Sequence, residues 1–169
     1  MKQKPLFQET QRFTQWWIWL IHIGILAIFF TGIYIQIIKS EPFGDKPMSD
    51  LGLVISNIFM ILLVALFLSF NLKTQITHNK IYFKFFPFHI KEREYLISDI
   101  QEMEVVKYSP IGDYGGWGIR GFGNDKAFNV KGNKGLKIIF KDGTKRLIGT
   151  QKPEELQKVI KELGITSNK

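Results

Sequence analysis

The sequence predicts an α+β membrane protein: a hairpin of two transmembrane helices, then a seven-stranded antiparallel bent sandwich or barrel capped by one C-terminal amphipathic helix. Three observations predict it. Residues 16–38 and 51–70 contain no Lys, Arg, Asp or Glu. From residue 71 the chain breaks into short alternating runs punctuated by turn residues. Its last periodic segment places Leu156, Val159, Ile160 and Leu163 at i, i+3, i+4 and i+7, one stripe of a helix. The averages conceal this division, since 45% hydrophobic residues and a mean hydropathy of -0.01 mix charge-free runs with a charged remainder.

Residues 16–38 span about 34 Å as a helix and residues 51–70 about 30 Å, against a hydrocarbon core of about 30 Å. No polar stripe interrupts either run, so both read as helices bathed in lipid. A cleavable signal peptide is a poor fit: the first run is too long, and Ile37-Ile38-Lys39-Ser40-Glu41 lacks a small-x-small site. The connector, with Pro42, Gly44 and Pro47, is short enough to force an antiparallel hairpin with both chain ends on one side. Lys2, Lys4 and Arg12 precede the first run, and Lys73, Lys80, Lys84, Lys91 and Arg93 follow the second. The loop offers Lys39 and Lys46 beside Glu41, Asp45 and Asp50. Positive charge therefore predicts a multi-pass cell-membrane protein with cytoplasmic ends. Trp16, Trp17 and Trp19 suit an interfacial belt, and His22, Gln36 and Asn57 are the polar residues within the runs. For His22 and Asn57 the alternatives are hydrogen bonding between helices and a proton or ligand role.

The expected domains are residues 1–72 (tail and hairpin), 73–164 (soluble domain) and 165–169 (tail). Strands are expected at 74–78, 81–86, 88–95, 100–108, 127–130, 135–141 and 144–149, where apolar residues alternate or turn residues bracket a run. Asp142-Gly143 suggests a two-residue type I′ hairpin. Pro153, Glu154 and Glu155 suit a helix start, and Gly164 suits its stop.

The chain contains no cysteine, which excludes a disulfide scaffold, thiol catalysis and Cys-based metal centres. His78 and His89 lack metal-ligand neighbours, and no Ser stands in a nucleophile-elbow setting. Glu92/Glu94 and Glu102/Glu104 read as exposed strand faces rather than an acid–base pair. No enzyme activity, cofactor or metal is expected. Gly116-Trp117-Gly118-Ile119-Arg120-Gly121 fits GxGxxG, but it follows Ser109-Pro110 and leads into another strand through Asn124-Asp125. A dinucleotide site needs a strand before the motif and a helix after it. The stretch 112–123 is therefore expected as a tight loop with Trp117 packed as a lid.

Arg120 has two readings. Its planar fork suits a phosphate or carboxylate, or it pairs with Asp113 or Asp99 or bonds loop carbonyls. Arg120, Trp117, Lys131 and Lys134 form the candidate ligand-binding set. From residue 71 onward there are 18 Lys and Arg against 11 Asp and Glu, a net +7. Beside an anionic leaflet each well-placed cation contributes about 1 kcal/mol. Lys80, Lys84, Phe86, Phe88, Lys91 and Arg93, where aromatics and cations alternate after the second run, form the candidate membrane-surface set. Nucleic acid is not expected as a partner, because the lysines are scattered through strands and no recognition helix is present.

Three stretches carry a resemblance: Tyr114-Gly115-Gly116-Trp117-Gly118-Ile119-Arg120, Ala127-Phe128-Asn129-Val130-Lys131-Gly132-Asn133-Lys134-Gly135, and Ile148-Gly149-Thr150-Gln151-Lys152-Pro153-Glu154-Glu155-Leu156. With seven strands and a closing helix, their succession resembles small bacterial two-span membrane proteins bearing a pleckstrin-homology-like (PH-like) domain. The likeness covers most of residues 74–163. It implies a PH-like sandwich and assigns no catalytic residue. The expectation is a membrane-anchored module acting by binding, as a protein-interaction or regulatory module engaging other membrane proteins. The alternative is a sensor of anionic lipid headgroups or a small anion.

Overall fold

The computed structural model describes residues 4–165, so Lys2 and the expected tail from residue 166 lie outside the described residues. The chain is α+β and forms two units. One holds residues 14–69, and the other joins the chain up to Phe13 with the chain from Phe70.

The first unit contains α1 (Trp16–Ile33), which continues as a π-helical stretch Tyr34–Ile38, and α2 (Asp50–Ser69). Both are long and apolar enough to cross a membrane. Ser49 Oγ accepts the Gly52 N–H at 3.2 Å, and Asp50 places negative charge at the positive end of α2. Side-chain contacts between the helices fall in reverse order along the chain: His22 with Phe67, Phe29 with Asn57, Gln36 with Asp50. The pair is therefore antiparallel. Its polar residues bond within the pair. Asn57 Nδ2 donates to the carbonyls of Leu53 (3.0 Å) and Phe29 (3.2 Å), and Gln36 Nε2 to the Met48 carbonyl (2.8 Å) and Asp50 Oδ1 (2.6 Å). His22 Nδ1 bonds the Ile18 carbonyl at 2.7 Å while its ring lies 4.6 Å from Phe67. Ile28, Phe59 and Leu62 are among the apolar side chains left exposed.

The second unit has nine strands among the described residues: β1 (Phe7–Arg12), β2 (Asn71–Ile76), β3 (Lys80–Phe86), β4 (Arg93–Leu96), β5 (Ile100–Lys107), β6 (Gly118–Arg120), β7 (Asp125–Asn129), β8 (Lys134–Phe140) and β9 (Lys145–Gly149). Helix α3 (Pro110–Tyr114) precedes β6, and α4 (Pro153–Leu163) follows β9. One sheet runs β1-β2-β3-β4, each neighbour antiparallel; the other runs β5-β8-β9-β7-β6. Period-two alternation drives the packing. Strand β3 buries Ile81, Phe83 and Phe85 and turns Lys80, Tyr82, Lys84 and Phe86 to the other face. Leu136, Ile138 and Phe140 answer from β8, and Phe83 meets Phe128 across the core at 4.8 Å. Leu156, Val159 and Ile160 complete the cluster from α4, whose Gly164 cap has φ 69°. Each such fully buried side chain contributes about 1.5–3 kcal/mol relative to exposure.

The expected seven antiparallel strands are corrected in three ways. Strands β1 and β6 are additional, and β7 runs parallel to β9, pairing Ala127 with Leu147 and Phe128 with Ile148. The strand expected at 88–95 shortens to β4 because the chain from Pro87 turns before pairing. The stretch 112–123, expected as one loop, contains the end of α3 and all of β6. Domain limits move too. Residues 7–12 belong to the sheet, β2 begins at Asn71, and Ile165 is not tail but accepts the Met103 N–H at 3.0 Å. The Asp142-Gly143 hairpin forms, but only Gly143 takes positive φ (82°), so the turn is not type I′. Phe140 N bonds the Thr144 carbonyl and Gly143 N the Phe140 carbonyl, both at 2.9 Å, giving a three-residue loop. The Asp142 carboxylate holds it by accepting the Thr144 N–H (2.9 Å) and hydroxyl (2.7 Å).

Candidate functional site

Strand pairing brings together the three stretches of the glycine-rich half. Gly118–Arg120 pairs with Ala127–Asn129, and β7 lies beside β9. Upstream, Ser109 Oγ accepts the Gly112 N–H (3.0 Å) while Asp113 accepts the Ser109 N–H (2.8 Å), a reciprocal cap that starts α3. Gly115 ends it at φ 70°. The chain then turns so that Trp117, half-buried, donates Nε1–H to the Gly132 carbonyl at 3.2 Å. Trp117 thus closes over the β7–β8 loop. Gln151 Nε2 reaches the same loop from the β9–α4 junction, donating to the Lys131 carbonyl at 2.6 Å. Gly121 follows β6 at φ 83°, where a Cβ would stand 2.2 Å from the Asp125 carbonyl oxygen; no other residue fits that turn.

Arg120 is exposed, and its Nε donates to the Trp117 carbonyl at 3.0 Å. It therefore bonds a loop carbonyl, while its terminal amino groups make no hydrogen bond among the described residues. Lys134 opens β8 with an exposed side chain, and its carbonyl accepts the Thr150 N–H at 2.9 Å. Lys131 is half-buried in the same loop. Trp117, Lys131 and Lys134 thus lie toward one end of the second sheet, while Arg120 stands on the edge strand β6 opposite Ala127, with β7 and β9 between it and β8.

Beneath this end lies a group of buried polar side chains that sequence reading missed. Strand β1 buries Phe7, Glu9 and Gln11 on one face. Glu9, 6% exposed, accepts the Thr150 hydroxyl (2.8 Å) and the Gln151 N–H (2.7 Å). Gln11 Nε2 donates to the Gly149 carbonyl at 2.5 Å. Asn129 is also buried, its Oδ1 accepting the Gly118 N–H at 2.8 Å. Burial pushes the Glu9 carboxyl above the ordinary carboxylate range, opposed by those two hydrogen bonds and by Lys152. Burial likewise raises Tyr108, and it pushes the Tyr114 phenol up to about 12 with the help of the neighbouring Asp125 carboxylate. The sequence carries no alternation signal for β1, because in Phe7-Gln8-Glu9-Thr10-Gln11-Arg12 only the first of the three inward positions is apolar.

The membrane-surface set is divided by the length of β3. Lys80 and Phe86 stand at opposite ends, about 20 Å apart. Lys80 is ion-paired with Glu94 at 3.1 Å, which raises its pKa. Lys84 lies with its Nζ 5.7 Å from the Phe86 ring centroid. Phe88, Lys91 and Arg93 are exposed around the β3–β4 turn. His89 is the exception inside that turn. Its ring is buried between Phe83 (5.7 Å) and Phe128 (5.5 Å), and Nδ1 accepts the Phe85 N–H at 3.4 Å. Burial, aided by Arg93, lowers its pKa. The set therefore separates into Lys84, Phe86, Phe88 and Lys91 toward the Phe86 end, Arg93 opposite Phe83 at mid-strand, and Lys80 in its ion pair at the other end.

Neither the known family models nor the curated proteins include a match to this chain.

Proposed function

We propose that the chain is a two-span membrane protein whose PH-like module acts by binding, as an interaction or regulatory module for other membrane proteins. The observation that carries this reading is where the helix pair interrupts the sheet. Arg12 and Asn71 are cross-strand partners, yet the whole helix pair lies between them in sequence. A bilayer holding that pair would tether the module through two adjacent strands, which confines it near the surface. Confinement raises the effective concentration of any partner sharing the membrane, so weak contacts suffice. The nine strands closed by α4 support the PH-like comparison through their order, with β6 and β7 as an insertion between β5 and β8. The excess of Lys and Arg outside the helix-connecting loop is what supports a cytoplasmic side for the termini and module in this reading.

One observation favours a second reading, recognition of an anionic lipid headgroup or small anion. The exposed Arg120 fork is held at Nε by the Trp117 carbonyl, which leaves its terminal donors for an anion, and the Trp117 indole covers the loop that carries Lys131.

Purification of the full-length protein from its native membrane in mild detergent tests both. Stoichiometric co-purification of a defined membrane protein that survives Arg120→Ala supports the first reading. Anionic lipid retained by the native chain and lost from Arg120→Ala supports the second. A chain that retains neither defeats both.

A further inference from the structure

The β3–β4 turn follows Phe86 and puts successive side chains on opposite sides. Phe88 is 63% exposed and Ile90 78% exposed, while His89 between them is buried. The inward residue holds that arrangement. His89 N–H donates to the Phe85 carbonyl at 2.7 Å, its ring Nδ1 accepts the Phe85 N–H, and the ring packs on Phe83 and Phe128. Inverting the turn would strip these contacts and bury Phe88 or Ile90 where the imidazole now sits. Two large apolar side chains are thus held outward by a buried one.

Their neighbours in the same unit are the points where the chain leaves it. Phe70, the residue after the last of α2, stacks on Phe88 at 5.6 Å between centroids and lies 5.8 Å from Phe13, three residues before α1. The same end of the outward sheet face carries Arg12 beside Asn71 and Phe86, and then the cross-strand pair Lys73 and Lys84, with Glu92 lining the adjoining cavity. Lys91 follows Ile90. Aromatic and aliphatic tips flanked by cations match the boundary between acyl chains and anionic headgroups.

We propose that the β3–β4 turn dips into the bilayer interface, with Phe88 and Ile90 entering the acyl boundary and Arg12, Lys73, Lys84 and Lys91 meeting headgroup phosphates. The inference rests on the membrane-spanning reading above and adds a third point of attachment to the two chain crossings. The occupant of the exposed turn is lipid because Phe70 ties it to the residue at which an apolar helix ends.

The chain's lack of cysteine makes the test clean. Full-length Phe88→Cys, Ile90→Cys and Asp142→Cys, with Ile28→Cys and Leu62→Cys in the helices, are each spin-labelled. They are reconstituted into phosphatidylcholine vesicles with and without phosphatidylglycerol. Collision with oxygen, which partitions into lipid, is compared with collision by a water-soluble nickel chelate. Labels at 88 and 90 are expected to favour oxygen severalfold more than the label at 142, and more strongly with phosphatidylglycerol present. Ile90→Cys keeps the Phe70–Phe88 stack intact, so a local change at 88 cannot decide the outcome alone. Water-like collision at 88 and 90 with lipid-like collision at 28 and 62 overturns the turn insertion and leaves the spans standing. Water-like collision at all four defeats the membrane reading itself. Protection at 88 and 90 from both reagents assigns the turn to a protein surface, and dipolar broadening between labels identifies a second copy; either result overturns the lipid assignment.

Discussion

Both units bury polar side chains, and they use them differently. In the helix pair, His22 bonds its own helix one turn back, and Asn57 bonds its own helix together with one carbonyl of its neighbour. In the sheet unit, Glu9 and Gln11 bond residues 138 to 142 positions away, at the junction between β9 and α4. The helices would keep their form without these side chains, since their backbone groups are satisfied internally. Strand β1 has no such independence. Of its three inward residues only Phe7 is apolar, and the other two secure it by hydrogen bonds to the far end of the chain.

The largest effect should come from removing β1 altogether. A fragment of residues 73–169 lacks β1 and the first residues of β2, and it is expected to lose cooperative unfolding. Residues 4–13 joined through an Asn-Gly turn to residues 70–165 should fold, because Arg12 and Asn71 are already neighbours. Near-ultraviolet circular dichroism and urea melts of the two chains decide it; two equally well-folded chains would show that β1 is dispensable.

Within the joined chain, Glu9→Ala leaves the Thr150 hydroxyl and Gln151 N–H without their acceptor, an expected cost of about 1–3 kcal/mol in urea unfolding. Glu9→Gln keeps one acceptor and should cost less.

The pH dependence carries opposite signs at two buried groups. Glu9 is raised, so the folded form holds its proton more tightly, and its contribution is complete below the ordinary carboxylate pKa and lost as pH rises through the raised value. His89 is lowered, so its contribution is complete above the ordinary histidine pKa and lost as pH falls through the lowered value. Urea midpoints across this range should lose the alkaline-side decline in Glu9→Gln and the acid-side decline in His89→Phe. Unchanged slopes in both variants would remove these groups as the cause.

In the helix pair, Asn57→Leu should cost only about 0.6 kcal/mol, measured by dissociation of the pair in bicelles. Arg120→Ala should be the mildest, within about 0.5 kcal/mol of the native chain, because an exposed side chain bonded to one carbonyl holds little in place. A loss comparable to that of Glu9→Ala would make Arg120 a structural clasp and erase the contrast between the two sites.

The sequence disclosed what depends on repeated local pattern. The helical form of the two charge-free runs, the Ile81-Phe83-Phe85 alternation, the α4 stripe and the Gly164 stop all emerge as expected, because each is decided by neighbours within a few residues. What stayed hidden depends on distant partners. Strand β1 reads as a polar tail until Glu9 and Gln11 meet residues 149–151. Three-residue β6 is too short to show a period, and the parallel β7–β9 pairing is a relation between separate strands that no local signal encodes. At the site, Trp117 and Arg120 stood out because Gly residues isolate them; the structure sets Trp117 on the loop that carries Lys131, whereas Arg120 and Lys134 stand on β6 and β8 with two strands between them. The role of His89 was invisible for a related reason. A lone histidine between Phe88 and Ile90 looks like the most solvent-seeking of the three, and the fold places it innermost.

The separation of β1 from β2 also sets a schedule. On the ribosome β1 is made first, and its partner is completed only after α1, the connector and α2. At about 5–20 residues per second, β1 waits several seconds for β2. The donors it needs on Thr150 and Gln151 come later still, 141 and 142 residues after Glu9. The β1 edge of the sheet therefore cannot form until the helix pair has been made, and β1, synthesised ahead of every other strand described, is among the last to be locked in place.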